Sequence, residues 1–164
     1  MIEIVDAYDN TKQIVGRFER GQEIPGIRRL SVRIWFMNDK GEFLLQQRSK
    51  TKKRAPGMWG PAGGGALTGE TSWDACIRES HEEFGIIPDK EKSIWLCGYK
   101  TKTMFVDVWL VQQNTNLSDI KIQTDEVDDV KWVSLGEINK MHQDGIFIPT
   151  DKIALDMIQQ FITM

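Results

Sequence analysis

Three consecutive glycines, Gly63-Gly64-Gly65, stand just ahead of the clearest helix in the chain. That helix has a start and a stop in the sequence. Thr71 is placed as an N-cap with Asp74 three residues on as its capping-box partner, and Gly85 closes the segment. At 100° per residue, Glu79, Glu82 and Glu83 fall within about 100° of arc, because i, i+3 and i+4 are neighbours on a helix surface. Trp73, Cys76, Ile77, Ser80 and Phe84 occupy the adjacent arc, so that face docks on a core while the glutamates stand at its edge. Like charges at this spacing weaken an isolated helix and call for a compensating cation. A solvated face would account for one Glu pair. Three carboxylates beside a glycine run that lets backbone approach closely suit a hard cation, Mg²⁺ or Mn²⁺.

The rest of the chain reads as strands around that helix. Glu3 to Tyr8, a turn at Asp9–Lys12 and Gln13–Val15 form an N-terminal hairpin, about residues 3–18. Leu30 to Met37 carries Val32, Ile34 and Phe36 on one side and Ser31, Arg33 and Trp35 on the other, the period of a half-buried strand. Asn38–Gly41 turns it into a second strand, Glu42 to Gln47. Further strands are expected at 93–99, 103–111 and 131–133, where β-branched and aromatic residues are dense. A short helix is expected near 135–141, and a terminal helix over 151–164 with Ile153, Ala154, Met157, Ile158, Phe161 and Ile162 as core. The order predicts a mixed α/β or α+β fold with helices on sheet faces. At 164 residues it predicts one domain.

A formal charge of −3 excludes bulk electrostatic binding to large nucleic acids or an anionic membrane. No leader or spanning segment is legible, so a cytoplasmic location is expected. Cys76 and Cys97 are isolated and read as two buried reduced thiols.

Residues 64–86, GGALTGETSWDACIRESHEEFGI, carry Gly64, Glu70, Arg78, Glu79, Glu82, Glu83, Gly85 and Ile86 at the positions of the Nudix box, G-x5-E-x7-R-E-U-x-E-E-x-G-U. Ser80 departs from the aliphatic residue usual there. The chain thus resembles the Nudix superfamily. The resemblance implies an α/β/α sandwich around a mixed sheet, and metal-dependent hydrolysis of a nucleoside or other organic diphosphate linked to a further group. It implies metal binding by Glu79, Glu82 and Glu83 with the Gly63 carbonyl, and a Glu70–Arg78 pair that holds the glycine segment on the helix. The resemblance leaves Glu82 as the expected water-activating base, with Glu126 as the alternative, since Nudix bases often come from a loop beyond the box. A homodimer would be in keeping with the family.

Of residues 48–54, Arg48, Lys50, Lys52, Lys53 and Arg54 are positive. With the preceding hairpin this stretch resembles the isopentenyl-diphosphate isomerase branch, in which an Arg-x-x-x-x-Lys loop holds a diphosphate. Arg48 and Lys53 match those positions, and Lys52 lies beside them. The Cys and His that the isomerases place after the tryptophan are absent from Gly60–Gly65. An isomerase and a non-catalytic sensor of a nucleotide or metabolite are therefore the alternatives to a hydrolase. Trp35, Trp59, Trp95 and Trp109 are candidates to line a pocket, with Trp73 and Trp132 in the core. His81 is placed away from the glutamates and His142 in a loop.

Overall fold

A computed structural model describes residues 1–164. Strands β1 (Ile4–Tyr8) and β2 (Ile14–Glu19) form the expected antiparallel hairpin. Its turn is held by Asp9, whose Oδ1 accepts from the Thr11 and Gln13 backbone N–H groups at 2.8 and 3.1 Å. The backbones of Tyr8 and Arg28 then pair, delivering the chain into β3 (Arg29–Met37).

β3 is the spine of a seven-stranded mixed sheet, completed by β4 (Phe43–Arg48), β5 (Trp59–Gly60), β6 (Ala62–Gly65), β7 (Ser93–Lys100), β8 (Met104–Gln112) and β9 (Val127–Val133). The strand order is β5-β4-β3-β8-β7, with β6 also paired to β3 and β9 to β4. Only β3 and β8 run parallel, in register from Arg29–Met104 to Met37–Gln112. A parallel pair needs a long crossover, and that crossover contains helix α1 (Ser72–Phe84). Helices α2 (Leu135–Gln143) and α3 (Lys152–Thr163) follow β9.

The sheet separates two cores. Leu30, Val32, Ile34 and Phe36 of β3 pack with Ala75, Cys76 and Phe84 of α1. On the opposite face Trp35 joins Phe43, Leu45, Val108 and Leu110 against Ile138 and Met141 of α2 and Ala154, Leu155 and Ile158 of α3. The layers are helix, mixed sheet, helix, as expected. β3 is more buried than its alternation suggested, with Trp35 wholly inside, because a central strand covered on both faces has no solvent side. Only Arg29, Ser31 and Arg33 keep polar groups on the second face.

Three expectations for side chains do not hold. In α3 the docking stripe is Ala154, Leu155 and Ile158, whereas Ile153, Met157, Phe161 and Ile162 stay substantially exposed. This helix is apolar around more of its circumference than the sheet can cover, so spacing alone did not select the docked stripe. His142 lies in α2, its ring set against Phe147, not in a loop. Cys76 is buried but Cys97 only partly so, and both thiols are free. No helix is long and apolar enough to cross a membrane.

Candidate active site

Local chemistry determines where α1 begins and ends. Thr71 Oγ1 accepts from the Asp74 N–H at 3.1 Å, Asp74 Oδ2 accepts from the Thr71 N–H at 2.9 Å, and Gly85 closes the helix with φ 68°. The pinned helix presents Glu79 and Glu83 inward and Glu82 outward, with the Glu82 side chain 47% exposed.

The glycine run is a strand rather than a flexible loop. β6 pairs antiparallel with β3, Gly63 opposite Arg33 and Gly65 opposite Ser31. The three glycines are needed for space, not for unusual backbone angles. A Cβ on Gly64 would stand 2.2 Å from Glu79 Oε1, and one on Gly63 would stand 2.3 Å from the Val32 carbonyl oxygen. The helix carboxylates can therefore touch strand backbone. Glu83 Oε2 accepts from the Gly63 N–H at 3.1 Å and from Gln46 Nε2 at 2.7 Å.

Arg78 organises the other carboxylates. Its Nε and Nη2 donate to the two oxygens of Glu70 at 2.7 and 3.0 Å, a bidentate fork. Nη1 donates to Glu79 at 2.8 Å and to Glu82 at 3.2 Å, and Nη2 also reaches the Gly65 carbonyl at 2.9 Å. Burial works against this guanidinium, yet hydrogen bonds and charge from Glu70 and Glu79 hold it above its ordinary range. Burial raises the Glu79 carboxyl, which Arg78 offsets only in part. Glu83 makes no ion pair, and its hydrogen bonds come from the neutral donors Gly63 and Gln46. Burial, and then repulsion from Glu79, push its carboxyl up to about 8 against the hydrogen bonds from Gly63 and Gln46.

These groups line a cleft of about 850 Å³. Arg48, Lys52 and Glu126 line it too, Glu126 in an ion pair with Lys52. Arg48 Nε donates to the Arg54 carbonyl at 3.0 Å, which closes the basic loop on itself. Lys53 is exposed and is not part of the lining. His81, expected to lie apart, stands at the cleft rim. None of the six tryptophans lines the cleft: Trp35, Trp59 and Trp109 are buried, Trp73 packs on Trp109 with ring centres 5.0 Å apart, and Trp95 is exposed on β7.

Arg20, Arg29 and Arg33, which were not among the sequence candidates, line the cleft with the others, as does Arg54 of the basic stretch. Arg33 pairs with Asp151 at 2.9 Å, joining β3 to the turn before α3. The alternation of Arg29, Ser31 and Arg33 along β3 was a signal for two of them. Arg20 comes from beyond the hairpin and had none.

As arranged, no three acidic, His or Cys side chains are gathered closely enough to cage an ion, because Glu79 and Glu82 turn to Arg78. The donor set nevertheless fits a hard divalent cation. It is all oxygen, its carboxylates outnumber the single cation among them, and the buried Gln46 Oε1 beside Glu83 has no partner.

A family model described as the NUDIX domain matches residues 27–150. An uncharacterised Nudix hydrolase of Listeria monocytogenes is 34% identical over 147 residues, 88% of this chain and 87% of that protein. An isopentenyl-diphosphate delta-isomerase of Streptomyces avermitilis is 26% identical over 166 residues, 95% of this chain and 82% of the other. The crystal structure of a Deinococcus radiodurans protein superposes with TM-score 0.79 at 19% identity, over 96% of this chain and 98% of that one, a likeness of fold. Family match, near full-length relatives and shared architecture agree: this chain belongs to the Nudix hydrolase family.

Proposed function

We propose that the chain cleaves the pyrophosphate linkage of a small organic diphosphate joined to a further group, with Mg²⁺ or Mn²⁺ as cofactor. The observation that carries this reading is the joint placement of Glu79, Glu82 and Glu83 in one cleft with Arg48, Lys52 and Arg54. Glu79, Glu82 and Glu83, with the Gly63 carbonyl, would hold the ion. When bound, it neutralises adjacent phosphate oxygens and acidifies a water.

The remaining work belongs to side chains. Arg48 and Lys52 bind the diphosphate, and Arg54 replaces the exposed Lys53 as their neighbour in the cleft. Arg78 is a positioning residue, since its fork fixes Glu70 and Glu79 and ties the helix to β6. Glu82, the most exposed of the three box glutamates and held only by Arg78 Nη1 at 3.2 Å, would take the proton of the attacking water at a carboxylate oxygen. Glu126 is the alternative base and would first have to part from Lys52.

No cysteine lines the cleft, because Cys76 is on the core-facing side of α1 and Cys97 is on β7. That weighs against proton transfer by a thiol as in an isomerase. The test is phosphate release from a panel of organic diphosphates with Mg²⁺, using Glu79→Gln and Glu83→Gln. Turnover should drop by at least two orders of magnitude, a loss of about 3 kcal/mol in barrier lowering. Retention of full metal-dependent turnover by both variants would sink the proposal, and so would rearrangement of isopentenyl diphosphate as the only activity.

A further inference from the structure

Strand β6 is gripped from both of its faces. On the α1 side a Cβ at Gly64 would meet the Glu79 carboxylate, and on the other side a Cβ at Gly63 would stand 3.1 Å from Arg33 Cδ. The first contact belongs to the carboxylate cradle. The second comes from an ion pair in which Asp151 is buried and Arg33 largely so. A pair drawn out of water gains little net stability, because desolvation of both charges offsets their attraction.

Local structure gives way to this pair at two places. Asp151 stands at the N-cap of α3, where an Asp ordinarily accepts from N–H groups of the first turn, yet its side chain makes no cap hydrogen bond. Its Oδ1 accepts from Arg33 Nε at 2.9 Å instead. On β5, Gly60 leaves the room for this, since a Cβ there would stand 3.2 Å from Asp151 Oδ2 and 2.9 Å from Ile148 Cδ1. The segment ahead of Asp151 is laid along β5 by backbone bonds, Trp59 N–H to the Ile146 carbonyl at 2.8 Å and Ile148 N–H to the Trp59 carbonyl at 2.9 Å.

Held from that side, Arg33 folds back over the pairing of β3 with β6. Its Nη1 donates to the Val32 carbonyl at 2.9 Å and to Ser31 Oγ at 3.0 Å, and Ser31 Oγ donates to the Gly64 carbonyl at 3.0 Å. Ala66 N–H bonds the Leu30 carbonyl, so by the alternation of an antiparallel ladder Gly64 exchanges bonds with Val32, while Gly63 and Gly65 turn their backbone groups away from β3. The Gly63 N–H accordingly reaches Glu83, and the Gly65 carbonyl reaches Arg78. Any slip or roll of β6 on β3 therefore moves the Gly63 backbone relative to Glu83.

We infer that Asp151 and Arg33 are positioning residues for the metal cradle: acting through Ser31, they fix β6 on β3 and with it the Gly63 carbonyl beside Glu83. This deepens the hydrolase reading and rests on it. The start of α3, on the far face of the sheet from α1, thereby becomes part of what shapes the site.

Mn²⁺ titrated into the full-length protein and followed by EPR of the free ion tests this, beside melting temperature in EDTA. Asp151→Asn, Ser31→Ala and Arg33→Lys, which keeps the charge but loses the fork, should each weaken Mn²⁺ binding by roughly tenfold. Because the groups act in series, Ser31→Ala combined with Asp151→Asn should weaken it little more than the larger single loss. Leu155→Ala loosens the docked stripe of α3 without touching the pair, so it should lower the melting temperature and leave Mn²⁺ binding unchanged. In EDTA the Gly63 amide should exchange its hydrogen faster in all three variants of the pair and of Ser31. Unchanged Mn²⁺ binding in Ser31→Ala and Arg33→Lys overturns the inference, as does a loss in Leu155→Ala that matches theirs or an unaltered Gly63 amide. These two variants leave Asp151 in place, so a failure of Asp151→Asn to fold does not obscure the result. Failure of the hydrolase reading shows separately, as Mn²⁺ binding that Glu79→Gln and Glu83→Gln leave intact.

Discussion

Replacing Glu83 by Gln should make the metal-free protein more stable while removing its activity. The carboxyl is buried, has no cation partner and is pushed up to about 8 from an ordinary 4.5. The folded state therefore holds a proton that the unfolded state gives up between those two values, and stability falls as pH rises through that window. At about 1.36 kcal/mol per unit, the penalty is negligible near pH 4 and roughly 3 kcal/mol at pH 7. Gln keeps an oxygen to accept from the Gly63 N–H and does not ionise, so the variant escapes this one-proton slope. For a domain of this size that corresponds to a melting temperature higher by roughly 6–12 °C at pH 7. Thermal unfolding of both proteins in EDTA across pH 4 to 9 measures it, and excess Mg²⁺ should stabilise the parent much more than the variant. A parent–variant difference that stays constant over this range would refute the electrostatic account of Glu83.

Two further substitutions probe the same wall. Ser80 is fully buried and its hydroxyl has no partner, so Ser80→Ala should stabilise the protein by about 1 kcal/mol, read from denaturant midpoints at unchanged slope. Gly64→Ala should cost about 1–3 kcal/mol and suppress metal-dependent turnover together, because its methyl would occupy the position of Glu79 Oε1; a variant with normal turnover would show that the strand and helix can separate freely.

The α1 boundaries were legible because every determinant is local: Thr71, Asp74 and Gly85 act within a turn of where they stand. The common edge of the three glutamates follows from spacing in the same way, whereas the pairing of Glu70 with Arg78 was implied by the resemblance to the Nudix box. The hairpin and β3 were legible from period-two patterning and turn residues, and β8 from its density of β-branched and aromatic residues. Burial was less so. Alternation marked Trp35 as facing the side opposite Val32, but only the helices on that side make it core. The same limit explains α3, where a helix apolar on several sides offers more than one stripe and the sheet accepts one.

For the site, the sequence by itself determined the carboxylate wall and the charge of the opposing loop, since each is carried by residues within a few turns or one loop. It did not determine that the glycines form a strand, that Lys53 points away from the cleft, or that Arg20, Arg29 and Arg33 turn toward it. Those outcomes depend on which strands pair with β3 and on which of its faces remains open. Pairing between distant segments is set by the packing of the whole sheet, and only the tertiary structure brings an arginine from the end of the hairpin beside a glycine forty-five residues later.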